Sequence, residues 1–207
     1  MALVKYNNNS LSSVTSAAGF PAGAMTLIKT LTASSSSTLS FVNGSSDVVL
    51  DNTYPVYMFK FINIHPATDN VSFQYNGSAD TGSNYNVTKT STSFVAYHKE
   101  DDSDTAFYYD TYNDLAQSTS FQSLVPGIGN AADEQCCGEL TLFNPSSTTF
   151  VKHWISHTPS HSYQSYIYDW WTAGYMNTTS AVDAIQFKMS SGNIDAGTIK
   201  LYGIKDS

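Results

Sequence analysis

Along most of this chain apolar side chains alternate with polar ones at a period of two, and no useful length of it shows the 3.6-residue period of a helix. Successive side chains of a strand point to opposite faces, so this pattern commits the chain to sheets. The clearest run places Val56, Met58, Ile62 and Ile64 on one face against Tyr57, Phe59 and Phe61 on the other. Apolar residues on both faces predict a central strand covered from both sides. Further strands are predicted at Met25–Leu31, Thr38–Val42, Val71–Tyr75, Ser93–His98, Ser120–Val125, Glu139–Phe143, Thr149–His157, Tyr163–Tyr168, Ala184–Met189 and Thr198–Ile204. Turn-forming clusters such as Asn43-Gly44-Ser45 and Asn76-Gly77-Ser78 separate them. Short strands at this spacing predict an all-β chain: a single antiparallel β-sandwich, jelly-roll-like in its connections.

Near the C-terminus, Ile185, Phe187 and Met189 alternate inward, and Ser190–Gly197 turns the chain with two glycines able to take positive φ. Ile199 and Leu201 are then expected to return on the same face as a hairpin partner. Helix is expected only as single turns, at Asp110–Gln117 and Leu11–Ala18. The sandwich is assigned to residues 24–207. Residues 1–23 read as an N-terminal arm, because Ser10–Gly23 is small and polar apart from Leu11, Val14 and Phe20. Such an arm either orders against a neighbour or lies free on the surface.

Only 13% of the residues are charged, against roughly 25% in an average soluble domain. The polar surface must therefore come from Ser, Thr, Asn and Gln, which suit a pleated sheet in their β-branched and hydroxyl forms. The net charge of −8 opposes contact with nucleic-acid phosphates and anionic lipid, and the nine Lys and Arg residues form no run. Neither nucleic acid nor membrane is an expected partner. The start MALVKYNNNS lacks the apolar core of a secretory signal, and no stretch approaches the roughly 18 apolar residues of a membrane helix. Asn-x-Ser/Thr triplets at Asn8, Asn43, Asn70, Asn76, Asn86 and Asn177 are accordingly read as by-products of composition. Cys136 and Cys137 are adjacent and staple nothing distant, so two reduced thiols are expected.

Catalytic motifs are absent: the chain has no Gly-x-Ser-x-Gly, no His-Glu-x-x-His, no phosphate loop and no dinucleotide fingerprint. Glu100, Asp102, Glu134, Glu139 and Asp169 supply carboxylates, as any acidic chain does, and no catalytic residue is assigned. His153, His157 and His161 recur every four residues, which would align them on a helix. Pro159 and the β-branched surroundings instead predict a strand followed by a turn, with His153 and His157 about 13 Å apart on one face, too far for one ion. The loop His98–Asp104 offers hard oxygens without the order of a calcium loop. No metal site and no cofactor is expected.

The aromatic run Trp154, Tyr163, Tyr166, Tyr168, Trp170, Trp171 and Tyr175 says more about function. Rings flanked by Asn, Gln, Asp and Ser can fill a core, anchor a subunit interface or stack on sugar rings. All three readings stay open on sequence grounds.

Several stretches, taken together, resemble a known family. They are Thr32–Ser35, Phe59–Pro66, Gly138-Glu139-Leu140-Thr141-Leu142-Phe143-Asn144-Pro145 with Lys152-His153, Ala184–Phe187, and the closing Ser191–Ile204. They resemble small virion structural proteins of marine bacteriophages, cyanophages above all. The resemblance implies a place in a phage particle assembled in the host cytoplasm, and it carries over no functional residue. The expected role is a self-associating accessory protein, a homotrimer on the head surface, a vertex or the tail, whose partners are itself and other virion proteins. The alternative is a carbohydrate-binding module of a fibre or spike that recognises a host surface glycan. The same aromatic residues buried between subunits favour the first; an exposed row of them favours the second.

Overall fold

The computed structural model describes residues 25–205, and the arm expected over residues 1–23, with its helical turn, lies outside them. Twelve strands follow in order: β1 (Met25–Thr32), β2 (Leu39–Val42), β3 (Val56–Pro66), β4 (Val71–Ser78), β5 (Lys89–Lys99), β6 (Thr105–Tyr109), β7 (Gln122–Ile128), β8 (Cys136–Phe143), β9 (Lys152–His161), β10 (Tyr166–Met176), β11 (Ala184–Met189) and β12 (Ile194–Ile204). All pair antiparallel, in an eight-stranded sheet ordered β1-β12-β3-β8-β9-β10-β5-β6 and a four-stranded sheet ordered β2-β11-β4-β7. The two sheets pack into the β-sandwich that the alternation predicts. No helix occurs among the described residues, and Asp110–Gln117 is a run of turns rather than a helical one.

Two hairpins, β5–β6 and β9–β10, account for the unequal sheets. Without them, β1, β12, β3 and β8 face β2, β11, β4 and β7, and the chain crosses between the layers at nearly every connection. The hairpins pair with each other through β5 and β10, and with the frame through β8 and β9, so the large sheet extends sideways beyond the small one.

The core lies between the layers, centred on Phe187. Its ring meets Phe59 and Phe61 edge-on at 5.3 Å and Phe73 stacked at 5.8 Å, with Phe41 at 6.3 Å, and all five rings are at most 2% exposed. Edge-to-face rings at such distances add to the stabilisation from burial. Under the hairpins the layer changes character: Ser91, Ser93, Ser156, Thr158, Ser160 and Thr172 are buried, with Ser91 donating to Gln122 Oε1 at 2.6 Å and Ser156 to the Glu139 carbonyl at 2.8 Å. Gly174 belongs to this inner face because the Trp154 ring and the Thr90 carbonyl fill the space a Cβ would need.

Three expectations are corrected. β11 and β12 are not a hairpin: β11 pairs with β2 and β4, β12 with β1 and β3, so Phe187 and Leu201 face one another across the core. Gly192 and Gly197 do take positive φ, at 70° and 115°, but Gly192 shapes the turn that carries the chain from one sheet to the other, and Gly197 lies within β12 where its register shifts against β3. β3 is central, between β12 and β8, yet its two faces differ. The register slips between Phe61 and Ile64, where Asn63 adopts φ 51°, and Ile64 joins Tyr57, Phe59 and Phe61 inside while Ile62 stays 40% exposed. Finally, Pro159 does not end β9, which runs on to His161 with Pro159 opposite Asp169.

Candidate functional site

The seven aromatic residues expected to mark a site are divided by the pleat. Trp154, Tyr166, Tyr168 and Trp170 point inward from β9 and β10, Trp171 and Tyr175 point outward, and Tyr163 sits in the turn between the strands. Trp154 is core, 1% exposed, with its ring edge-on to Tyr75 at 5.1 Å. The remaining rings contribute to two distinct surfaces.

On the outer surface, register aligns one residue from each of five strands: Glu139, His157, Trp171, Phe94 and Tyr109. Trp171 stacks on His157 at 3.9 Å between centroids and lies parallel to Phe94 at 6.3 Å. Asp169 fixes both partners of the first stack, accepting from His157 Nε2 at 2.5 Å and from Trp171 Nε1 at 3.1 Å. Phe107, Ile155 and Ile167 flank this row and are 71%, 52% and 49% exposed. Further along the same face Glu139 pairs with Lys60, whose register neighbour is Lys200. The face is therefore apolar and aromatic over the hairpins and charged over the frame.

The second surface lies behind the first. The small sheet ends at β7, which packs over β9 and reaches β10, so among the described residues the inner face of β10, β5 and β6 beyond it has no second layer. A cleft of about 300 Å³ forms there between Tyr108, Tyr168 and Trp170 on one side and Pro126 and Gly127 of β7 on the other. Gly127 takes φ 69°, and the Tyr163 ring lies beside it. Asn70, Asp110, Tyr112, Asn113 and Ser162 complete the lining. Asp110 is 3% exposed; it accepts from the Tyr112 amide at 2.9 Å and from Asn113 Nδ2. Tyr168 stacks between Tyr166 at 5.6 Å and Trp170 at 5.5 Å. Burial, with four neighbouring phenols, pushes its hydroxyl up to about 12, so it stays a neutral donor at ordinary pH.

Tyr163, Tyr168 and Trp170 were legible as site candidates; Asn70, Tyr108, Asp110, Tyr112 and Asn113 were not. The other candidates resolve simply. His153, His157 and His161 share the outer face but are spread along β9, and among the described residues no group of three or more His, Cys, Asp or Glu is placed to hold a metal ion. The carboxylates of the loop after β5 are engaged by protein groups: Glu100 with His161, Asp101 with Lys99 and Ser103, Asp102 with His98, and Asp104 with Tyr97 and Tyr166. Of the Asn-x-Ser/Thr triplets, Asn76 is completely buried.

No family model matches the chain, and no curated protein and no solved structure matches it either.

Proposed function

We propose that this chain is a structural accessory protein of a bacteriophage particle that self-associates through the outer face of its hairpin extension. The carrying observation is the exposed surface built by Phe94, Phe107, Ile155, Ile167 and Trp171, in which Asp169 is held by its neighbours His157 and Trp171. Aromatic enrichment with charge depletion marks interface cores, and a contiguous apolar face on a lone molecule is an aggregation hazard. A second copy of the chain is the partner that fits, because among the described residues β6 also leaves its outer edge unpaired beside this face. The face is lopsided, apolar on one flank with Lys60 and Lys200 on the other, and head-to-tail contacts between unlike flanks give a ring where the rotation closes, a trimer in this proposal.

The eight-strand frame supports the same reading. Its strand orders, β1-β12-β3-β8 and β2-β11-β4-β7, support reading the sandwich as a jelly roll, an architecture common to coat and lectin domains. The resemblance of Gly138–Pro145 and Ser191–Ile204 to phage virion proteins supports the particle reading. Mass spectrometry of purified particles from a phage encoding the chain tests this: it should be present, in hundreds of copies if it decorates the head or in tens at a vertex, collar or tail. Absence from purified particles would refute the proposal.

A further inference from the structure

The cleft lies behind the face proposed for self-association, and we infer that it is a binding site for a neutral saccharide, made by Tyr108, Tyr163, Tyr168 and Trp170 with Asp110 and Asn113. Its volume of about 300 Å³ lies at the small end of ligand sites, which span roughly 300–1,000 Å³. Rings alternating with carboxylate and amide groups are the combination a sugar needs, since its C–H faces pack on aromatic planes while its hydroxyls require both donors and acceptors.

Two buried polar groups point to a ligand with hydroxyls. Trp170 is 4% exposed and its indole N–H has no hydrogen-bond partner among the described residues. An orphaned buried donor is costly, and because this N–H is closed off from solvent, the ring would have to tilt toward the cleft for a ligand oxygen to relieve it. Asp110, 3% exposed, uses one lone pair of each oxygen on its own loop and keeps acceptor capacity in the lining. The lining contains no Lys, Arg or His, so nothing there favours a phosphate, sulfate or acidic sugar. A quaternary ammonium could also sit among the rings, but it would satisfy neither the indole N–H nor the amide of Asn113.

The cleft also has a built frame. Tyr168 is clamped between Tyr166 and Trp170, Tyr97 meets both Tyr166 and Tyr168, and Asp104 accepts from the hydroxyls of Tyr97 and Tyr166 at 3.3 and 3.2 Å. Rings fixed in this way give up little entropy on binding.

The test is a screen of the purified full chain on immobilised neutral glycans, covering oligomers of glucose, galactose, mannose, N-acetylglucosamine and N-acetylgalactosamine. Any hit is then titrated free in solution by calorimetry and tryptophan fluorescence. At least one neutral glycan should bind saturably, with fluorescence changing because Trp170 lines the site, and a chelator should have no effect. Tyr108→Ala and Tyr163→Ala, at partly exposed positions, should each weaken binding about tenfold while leaving the thermal transition in place. Trp171→Ser, on the opposite face, should leave binding unchanged, which separates this site from the self-association surface. No binding to any glycan of the screen, binding that survives both tyrosine changes, or binding of choline in place of sugars would each overturn the assignment.

Discussion

Trp170 and Trp171 are neighbours in sequence and occupy opposite faces of β10, one 4% and the other 43% exposed. Replacing the two together would therefore confuse core with surface. Trp170→Ser should destabilise the fold by about 3–5 kcal/mol, as large core aromatics do when truncated, whereas Trp171→Ser should change stability little. Chemical denaturation of the two single variants reads this directly; equal losses would mean that Trp171 is also core.

Phe187 should be the most sensitive position of the sandwich, because it joins Phe59 and Phe61 of the large sheet to Phe41 and Phe73 of the small one. Phe187→Leu should cost less than Phe187→Ala, for which about 3–5 kcal/mol is expected. A loss below about 1 kcal/mol for the alanine variant, measured by denaturant unfolding, would contradict this packing.

Stability should depend on pH through a lysine. Lys89 is completely buried, and its ammonium donates to Asn76 Oδ1 at 2.6 Å and the Val87 carbonyl at 2.9 Å. Burial pulls its pKa from 10.5 down to about 7. Between those values the unfolded chain holds a proton that the folded chain has released, so stability rises with pH across this window and is lowest, for this group, below about 7. Lys152, lowered by the same cause, acts in the same direction. Tyr57 and Tyr168, raised to about 12, act oppositely: they keep their protons in the fold, and that stabilisation is lost as pH climbs from 10 through 12. The Tm should rise from pH 7 toward 10 and then fall, with the rise reduced in Lys89→Met. A Tm that falls steadily from pH 7 would contradict the burial of Lys89.

The adjacent cysteines should behave differently. Cys136 is 1% exposed and burial pushes its thiol well above the ordinary range, while Cys137 is half-buried beside Asn63. A thiol reagent should modify one cysteine per native chain and both after unfolding, with mass spectrometry placing the native label on Cys137. Rapid labelling of Cys136 in the native state would show that β8 opens there.

Where strands lie was largely legible in the chain, and which strands meet was not. The runs at Met25–Leu31, Val71–Tyr75 and Ala184–Met189 fall within β1, β4 and β11, because alternation is a local signal. β6 carries little local signal because Thr105–Tyr109 is short and follows an acidic loop, and the alternation marking β10 stops at Tyr168 because Trp170-Trp171 breaks it. The reading of β11 and β12 as a hairpin assumed that neighbours in sequence pair. In this topology the turn instead changes sheets, and no local feature records the choice. The cleft shows the same limit. Asn70, Asp110 and Tyr163 come from three connections far apart in the chain, and Asp110–Gln117 looked like a helical turn until pairing set it beside β7 and β10.

Self-association through the outer face can be read from the solution mass of the full chain before and after changes at Trp171 and Ile155. By multi-angle light scattering the unmodified chain should run as a closed oligomer, at about three times its 22.5 kDa for a trimer. The double variant Trp171→Ser, Ile155→Ser should run as a folded monomer with its cooperative thermal transition retained. An unmodified chain that is monomeric at all concentrations, or a double variant that keeps the full oligomeric mass, would contradict the account.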